Sequence, residues 1–236
     1  MDFDECMPVF ADMSDGKKHD ITAAKEMEFP EGSVIVADRG YMDFSWLYTL
    51  NKQKNFFVVR CRENVKLDLV ERPFNKPLGS KSNVQVDWEG YFSLYKSKKD
   101  YPNKIRMVQI WDENEQVYIE LLTNNFSWTA STIEELYKRR WSIESFFKEI
   151  KTHLKIKSFV GTSINAVLVQ IWTALITILL LKSLQRAAKH TWHLSNLIAF
   201  IRLNLFVKIN LQKWLDKPFL DDTENQKPPT IQWQMF

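Results

Sequence analysis

The chain predicts an α/β fold, and three observations carry that expectation. Two short apolar runs, Val34–Ala37 and Phe56–Arg60, have the character of strands buried in a parallel sheet. Between them lies a helix-forming stretch, residues 44–52, which Asp43 can cap. Further on, residues 165–189 are apolar nearly all round and predict a helix buried on every side. A strand–helix–strand rhythm followed by long helices is the pattern of a layered α/β domain.

Taken in order, residues 7–11 predict a strand running into Asp15-Gly16, a turn signal. Asp20 can cap a short helix over 21–27, and 29–33 is a loop. The first apolar run ends in Asp38-Arg39-Gly40-Tyr41, a carboxylate at a strand end, where ligands collect in such sheets. Gly40 is expected to let the backbone turn sharply there. Asp38 taken alone is equally a turn former. From residue 63 to 122 the character shifts to β-rich runs (84–88, 91–95, 105–111 and 116–122), with 112–115 as a hairpin loop. This stretch predicts an antiparallel insertion. Ser131-Thr132-Ile133-Glu134 has the form of a capping box, so a helix is expected from there, with Gly161 as a stop. An amphipathic helix is expected over 193–206, and the polar, proline-bearing tail beyond Asp216 predicts flexibility. The domain expectation is therefore a partial core at 1–62, a β-rich insertion at 63–124, core helices at 125–189, and a final helix and tail at 190–236.

Composition sets the bounds. With 236 residues, 45% of them hydrophobic, and sixteen Phe and nine Trp, the chain can bury a sizeable core. Two cysteines, Cys6 and Cys61, predict no disulfide framework and a reducing compartment. His19, His153, His190 and His193 show no paired metal-ligand spacing with a thiol. The opening Met1-Asp-Phe-Asp-Glu is acidic where a signal peptide would be cationic. Residues 166–181 are shorter than the ~20 that a bilayer crossing needs and contain Gln170, Thr173 and Thr177, so a core helix is expected and no membrane partner. A net charge of +3 permits nucleic-acid binding without arguing for it; the distribution has to do that.

The distribution points to residues 137–151. Projected as a helix at 100° per residue, Tyr137, Arg140, Trp141, Glu144, Lys148 and Lys151 fall within an arc of about 100°. Leu136, Ile143, Phe147, Ile150 and Leu154 fall on a neighbouring arc, a core stripe. From 138 to 157 there are seven Lys or Arg against Glu144 and Glu149, a local excess larger than that of the whole chain. Charge alone reads as a solvated basic helix.

The spacing is more specific. Tyr-(2)-Arg-(3)-Glu-(6)-Lys is complete as Tyr137, Arg140, Glu144 and Lys151. It resembles the signature of bacterial insertion-sequence transposases of the DDE type, in which the glutamate is the third catalytic carboxylate. Asp38 before Arg39-Gly40-Tyr41 is similar to their second catalytic aspartate. The resemblance implies a ribonuclease-H-like core with an insertion between Asp38 and the glutamate helix, and two Mg²⁺ or Mn²⁺ ions held by carboxylates, here Asp38 and Glu144. It implies DNA contact by Tyr137, Arg140 and Lys151, to which helix geometry adds Trp141 and Lys148. The expected partners are transposon-end and target DNA and a second copy on that DNA, in a bacterial cytoplasm at the nucleoid. The family's first aspartate lies on a strand upstream of residues 7–11, and Asp2, Asp4, Asp12, Asp15 and Asp20 stand in the wrong place for it. The expectation is thus a core lacking its amino-terminal strands, inert alone in cut-and-paste transposition. The alternative is a non-catalytic DNA-binding remnant.

Overall fold

A computed structural model describes residues 20–63, 65–71, 83–113, 116–154, 160–161 and 163–218. The strand expected at 7–11, the turn at 15–16 and the tail from 219 onward lie outside the described residues. The chain divides into two compact units, Met1–Phe146 and Phe147–Phe236.

The first unit is built on one six-stranded sheet flanked by helices, so the α/β class holds. Its elements are α1 (Asp20–Lys25), β1 (Val34–Ala37), a 3-10 turn (Arg39–Tyr41), α2 (Phe44–Lys52), β2 (Phe56–Arg60), β3 (Leu67–Glu71), β4 (Val84–Phe92), α3 (Tyr95–Asp100), β5 (Ile105–Asp112), β6 (Val117–Thr123) and α4 (Ala130–Arg139). The spatial order is β1-β2-β6-β5-β4-β3. β1 and β2 are parallel, and every other neighbouring pair is antiparallel. The β-rich segment thus supplies β3 to β6, and these join β1 and β2 in one sheet through the β2–β6 pairing.

Side-chain alternation separates the two faces. Ala37, Phe57, Val59, Met107 and Leu122 point one way and pack with Trp46, Leu47 and Leu50 of α2. Val58, Val108, Ile110, Ile119 and Leu121 point the other way and pack with Ile133 and Tyr137 of α4. Each fully buried Leu or Phe contributes about 1.5–3 kcal/mol. The Asp43 cap forms as expected, its Oδ1 accepting the Trp46 N–H at 2.9 Å. The expected strand at 91–95 does not form separately. β4 runs on through Gly90 to Phe92, and Tyr95 opens α3. Gly90 permits this because a Cβ there would come within 2.4 Å of the Asp68 carbonyl oxygen on β3.

The helix expected from Ser131 differs in two respects. Its cap is Thr129, not Ser131: the Thr129 Oγ1 accepts the Thr132 N–H at 3.0 Å, and Glu134 instead pairs with Lys138 at 2.6 Å. It is also two helices, α4 and α5 (Trp141–His153), joined at Arg140. There the bonds tighten, with the Arg140 N–H donating to Tyr137 O and the Ile143 N–H to Arg140 O. A step of three residues per turn rotates everything after it relative to a uniform projection, so the expected stripe shifts. Phe146 and Ile150 are buried, while Phe147 is 51% exposed.

In the second unit, α6 (Ile164–Ala187) is capped by Ser163 and packs with α7 (Leu194–Asn204). Trp192 and Leu197 gather with Leu215 of α8 (Leu211–Asp216), a helix that the sequence did not predict, into a small core. The Lys182 ammonium of α6 pairs with Glu149 of α5 at 2.9 Å. α6 corrects the expectation of a helix buried on every side. Ala174, Ile178 and Leu181 are buried, but Val169, Trp172, Ile176 and Leu180 are exposed among the described residues. An apolar surround needs cover on all sides, and the described neighbours cover one. By length and composition alone α6 is long enough to cross a membrane.

Candidate functional site

The site is assembled at the carboxyl ends of β1 and β2. Ala37 lies opposite Val59 in the parallel register, so the next residues, Asp38 and Arg60, fall side by side. Ala37 and Val59 both face α2, and Asp38 remains extended (φ −83°, ψ −179°). Alternation therefore turns Asp38 and Arg60 towards the face that α4 covers. Asp38 then opens the 3-10 turn, its Oδ1 accepting the Gly40 N–H at 2.7 Å. The chain turns sharply here, as expected, but Gly40 does not enter the left-handed region to do so. Its small size matters instead, because a Cβ there would meet Asp38 Oδ1 at 3.0 Å.

Tyr137 approaches from the last turn of α4. Its ring lies in the core with Val58 and Val36, and the residue is only 3% exposed. Its hydroxyl is buried and makes no hydrogen bond of good geometry with a described residue. Burial pushes its pKa up, while the Arg140 and Arg60 guanidinium groups beside it pull the other way without prevailing. The same adjacency brings Arg60 of β2 and the end of α4 together.

Arg140 follows at the junction, with its guanidinium 5.5 Å from the ring centres of both Tyr137 and Trp141. Its Nη1 donates to Glu144 Oε1. Burial opposes the Arg140 charge, but the bond to Glu144 outweighs it and holds the pKa above the ordinary arginine value. Glu144 sits in the first turn of α5, where the helix dipole favours a carboxylate. Its Oε2 is buried with no partner among the described residues, as is Arg140 Nε. Trp141 is 48% exposed. Lys148 and Lys151, four and seven residues beyond Glu144 on α5, are exposed.

The loop ahead of α4 is held by Arg106 of β5, a buried guanidinium 3% exposed. Its Nε and Nη2 grip both oxygens of Asp87 at 2.7 and 2.6 Å, and Nη1 donates to Trp128 O at 2.7 Å and Asn125 O at 3.3 Å. Sequence reasoning missed Arg106, Arg60 and Arg62. Arg60 had a visible signal, a cation closing the apolar run of β2 one strand from Asp38. For Arg106 only the fold reveals the burial.

An orphaned carboxylate oxygen on Glu144 and the Oδ2 of Asp38 are hard donors of the kind that Mg²⁺ or Mn²⁺ accepts alongside water and phosphate. These residues fit such an ion as donors. Among the described residues, no three His, Cys, Asp or Glu side chains form one metal-binding group.

Residues 1–180 match the family model described as transposase DDE domain. The chain belongs to that family. A protein named as a transposase in Sinorhizobium fredii is 30% identical over 190 residues, 80% of this chain and 53% of that protein. Another, named as a transposase of insertion sequence element IS5377 in Geobacillus stearothermophilus, is 29% identical over 188 residues, 79% of this chain and 48% of its own length. A third, named for element IS4SA in Synechocystis, is 28% identical over 203 residues, covering 85% and 56%. The chain spans about half the length of these relatives. The transposase DDE domain match contains Asp38, the whole of α4 and α5, and most of α6.

Proposed function

We propose that this chain is part of an insertion-sequence transposase that cleaves and joins DNA strands, with Asp38 and Glu144 as two of its catalytic carboxylates. The observation that carries this reading is the convergence of Asp38, at the end of β1, with the end of α4 through Arg60 and Tyr137, about two turns before Glu144. In a ribonuclease-H-like arrangement, two Mg²⁺ or Mn²⁺ ions held in part by Asp38 and Glu144 would supply activation of the attacking oxygen and stabilisation of the leaving one. The chain's own residues then do the rest. Glu144 presents Oε2, with Oε1 pinned by Arg140. Asp38 presents Oδ2, with Oδ1 pinned by Gly40. Arg140, Lys148 and Lys151 neutralise phosphates near the transposon end, and these contacts position DNA without reading its sequence. Trp141 offers an exposed ring for an unpaired base. Tyr137 backs Arg140 from beneath.

The chemistry needs a third carboxylate, which we assign to a strand lying beside β1 and not to any described residue. On that reading the described residues hold transposon-end DNA, cutting waits on that strand's carboxylate, and a second copy joins on DNA. The test is nicking of transposon-end DNA in Mg²⁺ or Mn²⁺. Binding without cleavage, with cleavage restored when the remaining length of a relative is supplied and lost again in Glu144→Gln, is the expected result. Restored cleavage that survives Glu144→Gln would overturn the assignment.

A further inference from the structure

We propose that Arg62 is a positioning residue that fixes the direction in which Asp38 presents its free carboxylate oxygen to a divalent cation. The inference rests on the proposed metal-ligand role of Asp38. It starts from a single peptide unit. The Arg39–Gly40 peptide donates its N–H to Asp38 Oδ1 at 2.7 Å and accepts on its carbonyl oxygen from Arg62 Nε at 3.1 Å. Because a peptide is planar, the two bonds leave opposite edges of one rigid plate. Turning the plate to break one bond breaks the other. A charged donor on the carbonyl also polarises the N–H on the far side, strengthening its hold on the carboxylate.

Arg62 grips the same turn twice more. Its Nη2 donates to Gly40 O at 3.4 Å, and its backbone N–H points at Met42 Sδ at 3.2 Å. The turn that carries Asp38 is thus tied to the extension of β2 by one residue, two positions past the strand end. The fit is close on the carboxylate side as well, since a Cβ on Gly40 would crowd Oδ1 at 3.0 Å. A plain loop staple would hold the turn somewhere. This arrangement holds the particular plate on which Asp38 Oδ1 rests, leaving Oδ2 as the oxygen that can ligate.

The experiment uses ¹⁵N-labelled full chain titrated with Mn²⁺, reading paramagnetic broadening of the Gly40 amide together with hydrogen exchange at Gly40, Val58 and Val59. The expected result is that Arg62→Ala weakens Mn²⁺ about 10-fold, the lower end for a residue supporting a ligand. It should also speed exchange at Gly40 and leave Val58 and Val59 protected. Arg62→Lys, which keeps the charge and one donor, should fall between. Unchanged Mn²⁺ affinity in Arg62→Ala, with Asp38→Asn abolishing it, overturns the positioning role while sparing the ligand role. Mn²⁺ broadening that survives Asp38→Asn overturns the ligand role, and the proposal falls with it. Should Arg62→Ala lose protection at Val58 and Val59, Arg62→Lys decides: wild-type affinity despite faster Gly40 exchange overturns the proposal, and reduced affinity supports it.

Discussion

The two faces of the sheet in the first unit are built on different terms. Against α2 and α3 the contacts are apolar and aromatic, with Tyr101 meeting Phe57 at 6.2 Å, Phe92 at 5.8 Å and Tyr48 at 5.8 Å, all edge-on. Against α4 the sheet is equally buried, yet it carries the Arg106–Asp87 pair, and Arg60, Asp38 and the Tyr137 hydroxyl stand at its rim. Burying polar groups is costly unless they are partnered. One face therefore holds the fold, and the other accepts that cost where it holds the helix of the candidate site.

The comparison predicts its largest effects in the interiors of the two faces. Phe57→Ala should destabilise the chain by about 3–5 kcal/mol, the cost of an unfilled cavity. Arg106→Ala should cost as much, about 3–5 kcal/mol, because it strands Asp87 and two carbonyls. The two are separable by compensation. Arg106→Met with Asp87→Leu should recover most of the loss, since an apolar pair can replace a buried ion pair. Urea unfolding of the three variants checks this, and a double variant no better than Arg106→Ala would show that the carbonyl contacts dominate.

Next in size are effects on DNA. Arg140→Ala and Lys151→Ala should each lower the salt dependence of transposon-end binding by about one unit of slope, the mark of a lost phosphate contact. Trp141→Ala should leave the slope alone and weaken single-stranded DNA by about 1–3 kcal/mol. Anisotropy titrations across a salt series separate the two, and an unchanged slope in Arg140→Ala would confine that residue to its pair with Glu144.

A smaller effect lies in the Asp43 cap. Partial burial raises its pKa, but the Lys25 ammonium, the Ser45 hydroxyl and the Trp46 N–H outweigh this and hold it below the usual carboxylate value. A depressed folded value means that the cap's stabilisation is present above the unfolded pKa of about 3.9 and is lost as pH falls through the lower folded value. Asp43→Ala should therefore cost about 1 kcal/mol at neutral pH and progressively less below about pH 4. Equal penalties at pH 7 and pH 2.5 would contradict that linkage.

Much of this was legible from local chemistry. β1, α2 and β2 followed from apolar runs and one capping aspartate, and the family from four residue types at three fixed gaps. What was hidden depended on contacts made at a distance. A mid-helix change from a four-residue to a three-residue hydrogen-bond step leaves no mark at Arg139-Arg140-Trp141, yet it moved the buried stripe from Phe147 to Phe146. Arg62 carried no signal because the turn it holds is some 20 residues away in sequence. α6 was expected to be covered because its composition asks for cover, and composition cannot say whether neighbours supply it.

The smallest predicted effect is the sharpest for the comparison. Tyr137 belongs to the packed face by its ring and to the site by its hydroxyl. Because the hydroxyl makes no hydrogen bond of good geometry with a described residue, Tyr137→Phe should change stability by less than about 1 kcal/mol, in either direction. Tyr137→Ala should cost about 3–5 kcal/mol, as the ring fills the cavity beside Val58 and Val36. DNA binding by Tyr137→Phe should keep the wild-type affinity, because the hydroxyl faces Arg60 and Arg140 and not solvent. Affinity lowered by about 1 kcal/mol at an unchanged salt slope, the loss of one neutral hydrogen bond, would mean that binding swings the tyrosine out of the core to a phosphate. In that case the α4 face gives up packing to bind DNA, and the division of labour between the two faces would be conditional on the nucleic acid.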